Sequence, residues 1–299
     1  MPGLTTDQLE TFQREGLLCI PDFLTPDQTT QLVSHAKELL AQCDLSKHPR
    51  TQFKTDDNDH IGDAYFFDSS DKISFFFDTD AFDDSGNLKF PLDKAINKIG
   101  HGLHIHDAVF HDVTFDQRVK DIARSLQYVD PKVLQSMLIF KQPTSQEESE
   151  RDNAVPPHTD ATFLYTTPQS AIGFWFALED CTIENGCLSY SPATHLTHDI
   201  TKRFVKIEQG RKGCGFVKVD GEEKPDDGEY KLVPCKAGSL VLIHNSVLHK
   251  SEKNRSDKSR YAYAFHVIDG TAKYDELNWL QVPPTSKNGT EFTKLYHEN

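Results

Sequence analysis

A histidine and an aspartate stand two residues apart in the segment VPPHTDATFLY, residues 155–165. Imidazole nitrogens and carboxylate oxygens both bind transition metals, so His158 and Asp160 could hold one ion. On a β-strand, residues i and i+2 project to the same face, and we expect these two side chains to do so. The triplet alone is a weak signal, because a chain with 14 histidines and 46 acidic residues contains such a triplet roughly once by chance.

A third ligand would complete the site, and the segment HNSVLHKS offers His244 and His249. Two histidines and one carboxylate on one face of an octahedron leave three positions open. This arrangement suits ferrous iron that must bind a chelating cosubstrate and oxygen together. Arg260 follows His249 by 11 residues, and its planar guanidinium can bind the far carboxylate of a dicarboxylic 2-oxo acid with two parallel hydrogen bonds. Each residue alone has an ordinary structural explanation, but together and in this order they indicate a metal-dependent oxygenase.

The length and composition of the chain exclude several classes of protein. With 299 residues, 37% hydrophobic and 26% charged, the composition is typical of one elaborated soluble domain. The net charge of -14 would repel phosphate backbones, so we expect no nucleic-acid partner. No apolar run approaches the roughly 20 residues that a membrane span requires. We therefore expect a small-molecule substrate, no membrane partner and a monomer.

The cysteines and the first residues indicate a compartment. Six cysteines are scattered without a Cys-x-x-Cys pair, which fits reduced cytosolic thiols better than a disulfide framework. The first twenty residues lack a basic start followed by an apolar core, so we predict no secretory signal. The expected location is cytoplasmic.

The first 130 residues predict helices more than strands. Thr5 or Thr6 precedes one helical segment, and Thr25 with Pro26 precedes another, with proline at the first helical position. A short apolar strand over residues 17–20 joins the two helices. Residues 92–99 and 115–126 predict further helices.

Aromatic residues and histidines are concentrated between these helical segments. Six phenylalanines lie within residues 66–82, which indicates packing at a core edge or under a lid more often than a cofactor site. We interpret His101, His104 and His106 as structural, because no acidic or cysteine partner nearby completes a closed zinc site.

From residue 133 onward the chain consists of short β-type runs separated by turn residues and not by helices. The runs are VLQSMLIFKQ, ATFLYTT, AIGFWFALED, CLSYSPATH, KLVPCKAGSLVLIHN and RYAYAFHVID. This pattern predicts an antiparallel sandwich or jelly roll. Two charged insertions, residues 145–153 and 210–231, should lie at the surface.

The order His158-x-Asp160, His249-x-Ser251, Arg260 resembles the phytanoyl-CoA dioxygenase family of iron(II)- and 2-oxoglutarate-dependent oxygenases. Seven segments are similar to one branch of that family in the same order and span nearly the whole chain. They are SSDKISFFFD, INKIGH, QSMLIFKQP, HTDATFLYT, ENGCLSYSPATH, GSLVLIHNSVLHKS and NWLQ.

The resemblance implies a mainly β fold with flanking helices around a double-stranded β-helix core (jelly roll, cupin-like). A single domain would span residues 1–299, with a mostly helical flank and lid over 1–130, the β core over 131–270 and a C-terminal tail over 271–299.

The resemblance also implies a set of site residues. Iron would be held by His158, Asp160 and His249, and His244 is not a ligand in that pattern. The implied contacts to 2-oxoglutarate, besides the iron ligands, are Lys98, Met137, Trp175, Ser251 and Arg260.

The implied reaction converts 2-oxoglutarate and O2 to succinate and CO2, coupled to hydroxylation of a small molecule, with ascorbate in a supporting role. We expect residues 75–77, Tyr165 and Trp175 to form a wall that excludes water. Two alternatives remain open at this point. A zinc hydrolase could use the same triad without Arg260 or Ser251, and a non-catalytic sensor could bind iron and 2-oxoglutarate without turnover.

Overall fold

The computed structural model of the chain describes residues 3–51, 64–143, 153–206, 213–222, 228–285 and 291–296. Eight helices occur within these ranges. They are α1 (Thr6–Glu15), α2 (Pro26–Leu40), α3 (Ala64–Phe67), α4 (Leu92–Ala95), α5 (Leu103–His106), α6 (Ala108–Thr114), α7 (Gln117–Ser125) and α8 (Thr194–Thr197).

Sixteen strands and one 3-10 turn (Asp160–Thr162) occur in the same ranges. The strands are β1 (Leu17–Ile20), β2 (Ile73–Phe77), β3 (Ile96–His101), β4 (Pro131–Lys141), β5 (Val155–His158), β6 (Thr166–Thr167), β7 (Ile172–Ala177), β8 (Leu188–Tyr190), β9 (Lys202–Lys206), β10 (Cys214–Lys218), β11 (Lys231–Val233), β12 (Leu240–His244), β13 (His249–Ser251), β14 (Arg260–Asp269), β15 (Lys273–Tyr274) and β16 (Thr293–Lys294).

The two predicted N-terminal helices are confirmed together with their capping residues. Thr5 accepts a hydrogen bond from the backbone N–H of Gln8, and the Gln8 side chain accepts one from the Thr5 backbone. Thr25 and Gln28 form the same reciprocal pair at the start of α2. Each pair satisfies two of the backbone donors that the first turn of a helix leaves open.

Two antiparallel sheets form the β core. The large sheet has eight strands in the order β1-β12-β7-β14-β4-β3-β2, with β16 also paired to β4. The smaller sheet has the order β11-β8-β13-β5, and β9 with β10 forms a separate hairpin. Every pairing between these strands in the described ranges is antiparallel, which confirms the predicted mainly β fold with flanking helices.

The central strand of the large sheet, β14, is buried on both faces, apart from its half-buried last residue. Side chains alternate between the two faces of a strand, so β14 takes part in two different cores. Tyr261, Tyr263 and Phe265 belong to the core shared with α1, α2, α6 and α7. Ala262 and Ala264 belong to the core between the two sheets, where they pack near Trp175. The helices therefore cover the outer face of the large sheet, and the inner face is turned toward the smaller sheet.

The helix predicted over residues 92–99 is wrong in its second half. Helix α4 ends at Ala95, and the chain continues as β3 between β2 and β4. Ile96 and Ile99 are fully buried there, and the ladder hydrogen bonds with two neighbouring strands outweigh the helical pattern of the segment. This strand carries Lys98.

The aromatic cluster and the three neighbouring histidines are part of the packed structure. Phe76 and Phe77 are fully buried, as expected for a core edge. His101 is hydrogen-bonded to Ser69, His104 to Ser136 and His106 to a backbone carbonyl. The expected structural role of these histidines agrees with these bonds.

The charged insertions lie only partly in the described ranges. Residues 144–152, 207–212 and 223–227 lie outside them, whereas β10 falls inside the second insertion. Within the described ranges, none of the helices combines the length and apolar character needed to cross a lipid bilayer. The division of the chain at residues 130 and 270 stays a prediction.

Candidate metal centre and its cavity

Three short elements bring His158, Asp160 and His249 together. His158 is the last residue of β5, and His249 is the first residue of β13. These strands pair so that the two histidines lie directly opposite each other. Asp160 lies in the 3-10 turn that follows β5, and not on the strand as the spacing predicts. The turn still directs its carboxylate toward the histidines.

The ligand atoms of this triad converge. The Nε2 atoms of His158 and His249 lie 3.9 Å and 3.8 Å from Oδ1 of Asp160. All three ligand atoms lie within 4.8 Å of one another, and no other group of histidine, cysteine or acidic residues in the described ranges meets that limit. Three such atoms around one point suit a metal ion.

Backbone carbonyls fix which nitrogen of each histidine is free. Nδ1 of His158 lies 2.9 Å from the carbonyl of Pro156, and Nδ1 of His249 lies 3.0 Å from that of Val247. Because a carbonyl only accepts, each Nδ1 must carry the proton and donate it. The lone pairs are therefore on Nε2, the two atoms that face Asp160, as in protein metal sites generally.

The surroundings of His158 and Asp160 keep these two residues in their metal-binding protonation states. Desolvation, helped by the neighbouring His249, lowers the pKa of His158 to about 4. Burial works to raise the pKa of Asp160, but His266, His249 and His158 together hold it below its usual value. A neutral imidazole and an ionised carboxylate are the forms that bind metal.

A cavity of about 1270 Å³ opens beside the triad. Its lining includes the five residues expected to contact 2-oxoglutarate. They are Lys98, Met137, Trp175, Ser251 and Arg260. Ala264 lies directly opposite both Met137 on β4 and Trp175 on β7, so a methyl group separates two large side chains and leaves space above the sheet.

The guanidinium of Arg260 is buried without a carboxylate partner in the described ranges. Its Nη1 donates to the backbone carbonyl of Gly186 at 2.9 Å, and its Nε has no hydrogen-bond partner. The ring of Trp175 lies below it, 5.4 Å from the guanidinium carbon. Isolated buried charges are costly, so this arrangement suggests a residue that receives an anion from outside.

A second buried cation lies in the same cavity. Lys98 is 8% exposed, and its Nζ lies 3.8 Å from Sδ of Met137. Burial lowers the pKa of this lysine to about 7. Ser251 is buried on β13, two residues after His249.

Aromatic rings line the cavity from the triad outward, but they are mostly not the predicted ones. Trp175 lines it as expected, whereas Phe77 belongs to the helix-facing core and Phe76 packs behind the cavity wall against Phe66 and His101. Five other aromatic residues that line the cavity are called the aromatic arm below: Phe66, Phe163, Phe204, Phe216 and Trp279.

The rings of the aromatic arm contact one another in sequence. His158 and Phe163 have ring centroids 6.3 Å apart, Phe163 and Phe204 5.7 Å, and Phe204 and Phe216 5.0 Å. Phe66 stacks on Trp279 at 4.6 Å. Phe216 lies in the second charged insertion, which we expected at the surface because of its charged residues. In the fold, Phe216 lies opposite Phe204 in the β9–β10 hairpin, a pairing that the sequence does not indicate.

His244 lies away from the triad. It packs against His195 and Phe12, with ring centroids 4.8 Å and 6.3 Å apart. By residue type alone the sequence offered His244 and His249 equally, the family resemblance implied His249, and the pairing of β13 with β5 places His249 opposite His158.

His266 is a site residue that the sequence patterns missed. Its Nε2 lies 3.2 Å from Oδ2 of Asp160. It stands six residues after Arg260, an even spacing that places both on one face of β14, and this is the one local signal that could have found it.

The chain matches known proteins over nearly its whole length. Residues 12–262 match the family model described as phytanoyl-CoA dioxygenase. The phytanoyl-CoA dioxygenase domain-containing protein 1 homolog of Caenorhabditis elegans is 39% identical over 296 residues, which cover 98% of this chain and 99% of that protein. The chain belongs to the phytanoyl-CoA dioxygenase family. It is therefore a dioxygenase, an enzyme of the oxidoreductase class, as the resemblance of its motifs implied.

Two solved structures show the same fold at low sequence identity. The non-heme alpha ketoglutarate dependent epimerase SnoN from nogalamycin biosynthesis has a TM-score of 0.63 and 17% identity, covering 97% of this chain and 98% of its own. EctD from S. alaskensis, solved with 2-oxoglutarate and 5-hydroxyectoine, has a TM-score of 0.61 and 18% identity, covering 97% and 86%. These likenesses confirm the jelly-roll core.

Replacing Asp160 tests whether the triad holds a metal. We expect Asp160→Ala to weaken binding of iron(II) by about 100-fold or more, because loss of a mere supporting partner already costs 10- to 100-fold. Anaerobic titration of the metal-free protein measures this affinity. His244→Gln is the matched control, a histidine near the same strands but outside the triad, and it should bind iron(II) as the wild type does. Equal affinities in all three proteins would contradict the assignment.

Proposed function

We propose that this dioxygenase uses iron(II) and 2-oxoglutarate to hydroxylate an apolar small molecule. One observation carries the proposal. The convergent Nε2, Nε2 and Oδ1 atoms of the triad share a cavity with the buried guanidinium of Arg260, which has no carboxylate partner in the described ranges. A metal and an anion are thus both expected in the same cavity, and 2-oxoglutarate can bind to both.

The residues present fit both groups. His158, Asp160 and His249 would hold iron(II), with two neutral imidazoles and one carboxylate as the donor set. The far carboxylate of 2-oxoglutarate would be held by Arg260 and Ser251, while Lys98, Met137 and Trp175 would surround the rest. Planar guanidinium groups recognise carboxylates through two parallel hydrogen bonds.

When bound, iron and 2-oxoglutarate would supply the oxidising chemistry, in which 2-oxoglutarate and O2 give succinate and CO2 and one oxygen atom enters a C–H bond. The protein's own residues would orient the metal and the cosubstrate and enclose the reacting carbon. The carbonyls behind His158 and His249 hold the metal-facing nitrogens in place. Lys98 and Arg260 offset the charge of the cosubstrate, and the aromatic arm keeps water from the reacting carbon.

The aromatic arm suggests what the prime substrate presents to the metal. Phe163 and Phe216 are partly exposed to the cavity, and hydrocarbon groups gain roughly 25 cal/mol for each Å² that they remove from water. At the outer end, Nζ of Lys202 lies 4.7 Å from the ring centre of Phe216. We infer an apolar group next to the triad, with any polar part of the substrate toward this rim. Hydroxylation is the default outcome for such a site.

Two alternatives make different demands on the cavity. A zinc hydrolase would need the triad but not a buried Arg260 or Lys98. A sensor would need both sites and would bind 2-oxoglutarate without consuming it. O2 use, help from ascorbate, a monomeric state and a cytoplasmic location stay predictions.

The decisive experiment measures succinate formation from 2-oxoglutarate by the purified protein under air, with iron(II) and ascorbate. We expect iron-dependent succinate from the wild type, none from Asp160→Ala, and wild-type yield from His244→Gln. Candidate apolar substrates should increase the yield. Tight 2-oxoglutarate binding without succinate, with or without such substrates, would favour the sensor. Tight zinc binding with no effect of 2-oxoglutarate would favour the hydrolase.

Replacing Arg260 tests the clasp for the far carboxylate. Arg260→Ala removes a charge-assisted double hydrogen bond of roughly 2 to 3 kcal/mol, so the Kd for 2-oxoglutarate should rise roughly 30- to 150-fold. Arg260→Lys keeps the positive charge but loses the paired N–H donors, so its Kd for 2-oxoglutarate should lie between those of the wild type and Arg260→Ala. Both tryptophans of the chain line the cavity, so quenching of their fluorescence can report binding. Unchanged affinity in both variants would place the clasp elsewhere, provided that metal affinity is unchanged.

Replacing Lys98 should trade cosubstrate affinity for stability. The folded pKa is about 7, against roughly 10.4 for an unfolded lysine. Between these values the unfolded chain binds more protons, so the free energy of unfolding rises with pH by about 1.4 kcal/mol per pH unit. Below pH 7 Lys98 is protonated in both the folded protein and the unfolded chain, so the full free-energy cost of burying its charge remains. Lys98→Met removes the cost, so its stability advantage over wild type should be greatest at pH 7 and below and should shrink toward pH 10.

The same variant should weaken 2-oxoglutarate binding most at neutral pH. Above pH 7 the wild-type lysine must take up a proton before it can attract the anion, so the difference between the two proteins should narrow as pH rises. Denaturant unfolding and ligand titration, each at several pH values, measure the two trends. An equally stable Lys98→Met protein with wild-type affinity would contradict a buried cation that serves the cosubstrate.

A further inference from the structure

A buried histidine outside the triad lies directly behind its carboxylate. Nε2 of His266 is 3.2 Å from Oδ2 of Asp160. Oδ1 of the same carboxylate faces the Nε2 atoms of His158 and His249, at 3.9 Å and 3.8 Å. The two oxygens of Asp160 therefore have different partners, one on the metal side and one inside the protein.

A glutamine fixes the direction of this contact. Nε2 of Gln135 lies 3.5 Å from Nδ1 of His266. An amide nitrogen only donates, so Nδ1 of the ring accepts, and the proton of the neutral ring is on Nε2. That N–H then donates to Oδ2 of Asp160. Gln135 and His266 are both buried, where hydrogen bonds are electrostatically stronger than in water.

The sheet is built around this contact. Gln135 on β4 and Gly173 on β7 lie directly opposite His266 on its two sides. The register between β14 and β4 shifts between His266 and Val267, and such bulges redirect side chains next to functional sites. A β-carbon at Gly173 would lie 3.4 Å from Nε2 of His266 and 3.5 Å from Oδ2 of Asp160, so glycine leaves the meeting point of ring and carboxylate clear of any longer side chain.

We propose that His266, held by Gln135, is a positioning residue that occupies Oδ2 of Asp160 and presents Oδ1 alone to the metal. The proposal rests on the proposed metal centre and deepens it. One-oxygen binding matters because a carboxylate that bound through both oxygens would take one of the three positions that the cosubstrate and oxygen need. Partners of this kind also set the orientation and basicity of a metal ligand.

The test uses cobalt(II), added to the metal-free full-length protein without oxygen, as a coloured probe of the site. His266→Leu fills similar space without a donor, and its Kd for cobalt(II) should rise about 10- to 100-fold. His266→Gln keeps an N–H donor and should restore affinity close to the wild type. The visible spectrum of the cobalt-saturated Leu variant should also differ from that of the wild type, because a second carboxylate oxygen becomes free to bind. His244→Leu, at a half-buried histidine outside the site, is the control and should leave both affinity and spectrum unchanged.

The possible outcomes separate the two proposals. Wild-type affinity and spectrum in His266→Leu would mean that the ring merely fills space and would overturn the inference. If His266→Leu does not fold, Gln135→Met keeps the ring but loses the donor to Nδ1. Weaker cobalt(II) binding by Gln135→Met supports the inference, and wild-type binding overturns it. A wild-type protein that binds no cobalt(II) and forms no succinate would instead overturn the metal centre itself.

Discussion

The antiparallel pairing of β5 with β13 is the interaction on which the site depends. It places His158 directly opposite His249, with ring centroids 4.2 Å apart, and the turn after His158 then brings Asp160 under both rings. A slip of one residue would send one of the histidines to the other face of its strand. Pairing of β13 with β8 on its other side, where His249 lies opposite Tyr190, helps to fix the register. The geometry of the triad thus depends on strand register more than on any single loop.

The large sheet lines the site from the side opposite the triad, and its strand β14 contributes several of the lining residues. On the inner face of β14, Arg260 provides a buried positive charge in the cavity, Ala264 leaves space, and His266 contacts Asp160. On its outer face, Tyr263 and Phe265 pack against the helices. Since successive residues of β14 lie on these two faces in turn, the packing of the helices also sets the positions of Arg260 and His266.

Local patterns were sufficient where the chemistry is local. The capping residues Thr5 and Thr25, the β-type runs and the His-x-Asp triplet each depend on neighbours in the chain. Contacts across the fold were not predictable in the same way. His266 is one of 14 histidines, and its role depends on how β14 lies relative to the turn that carries Asp160. Phe216 looked like part of a charged surface insertion until its hairpin partner, Phe204, was known.

The two ends of the cavity balance their charges differently, and this difference explains why one end needs a ligand. At the metal end, burial opposes ionisation of Asp160, but three histidines around it hold its pKa down. At the other end, burial alone lowers the pKa of Lys98, and burial is the main cause that lowers the pKa of Arg260. A buried charge without a charged partner reduces stability, and the guanidinium of Arg260 has no carboxylate partner in the described ranges. An anionic cosubstrate bound at Arg260 would offset that cost, so part of the stability that this buried charge costs the free protein would return as affinity for the ligand.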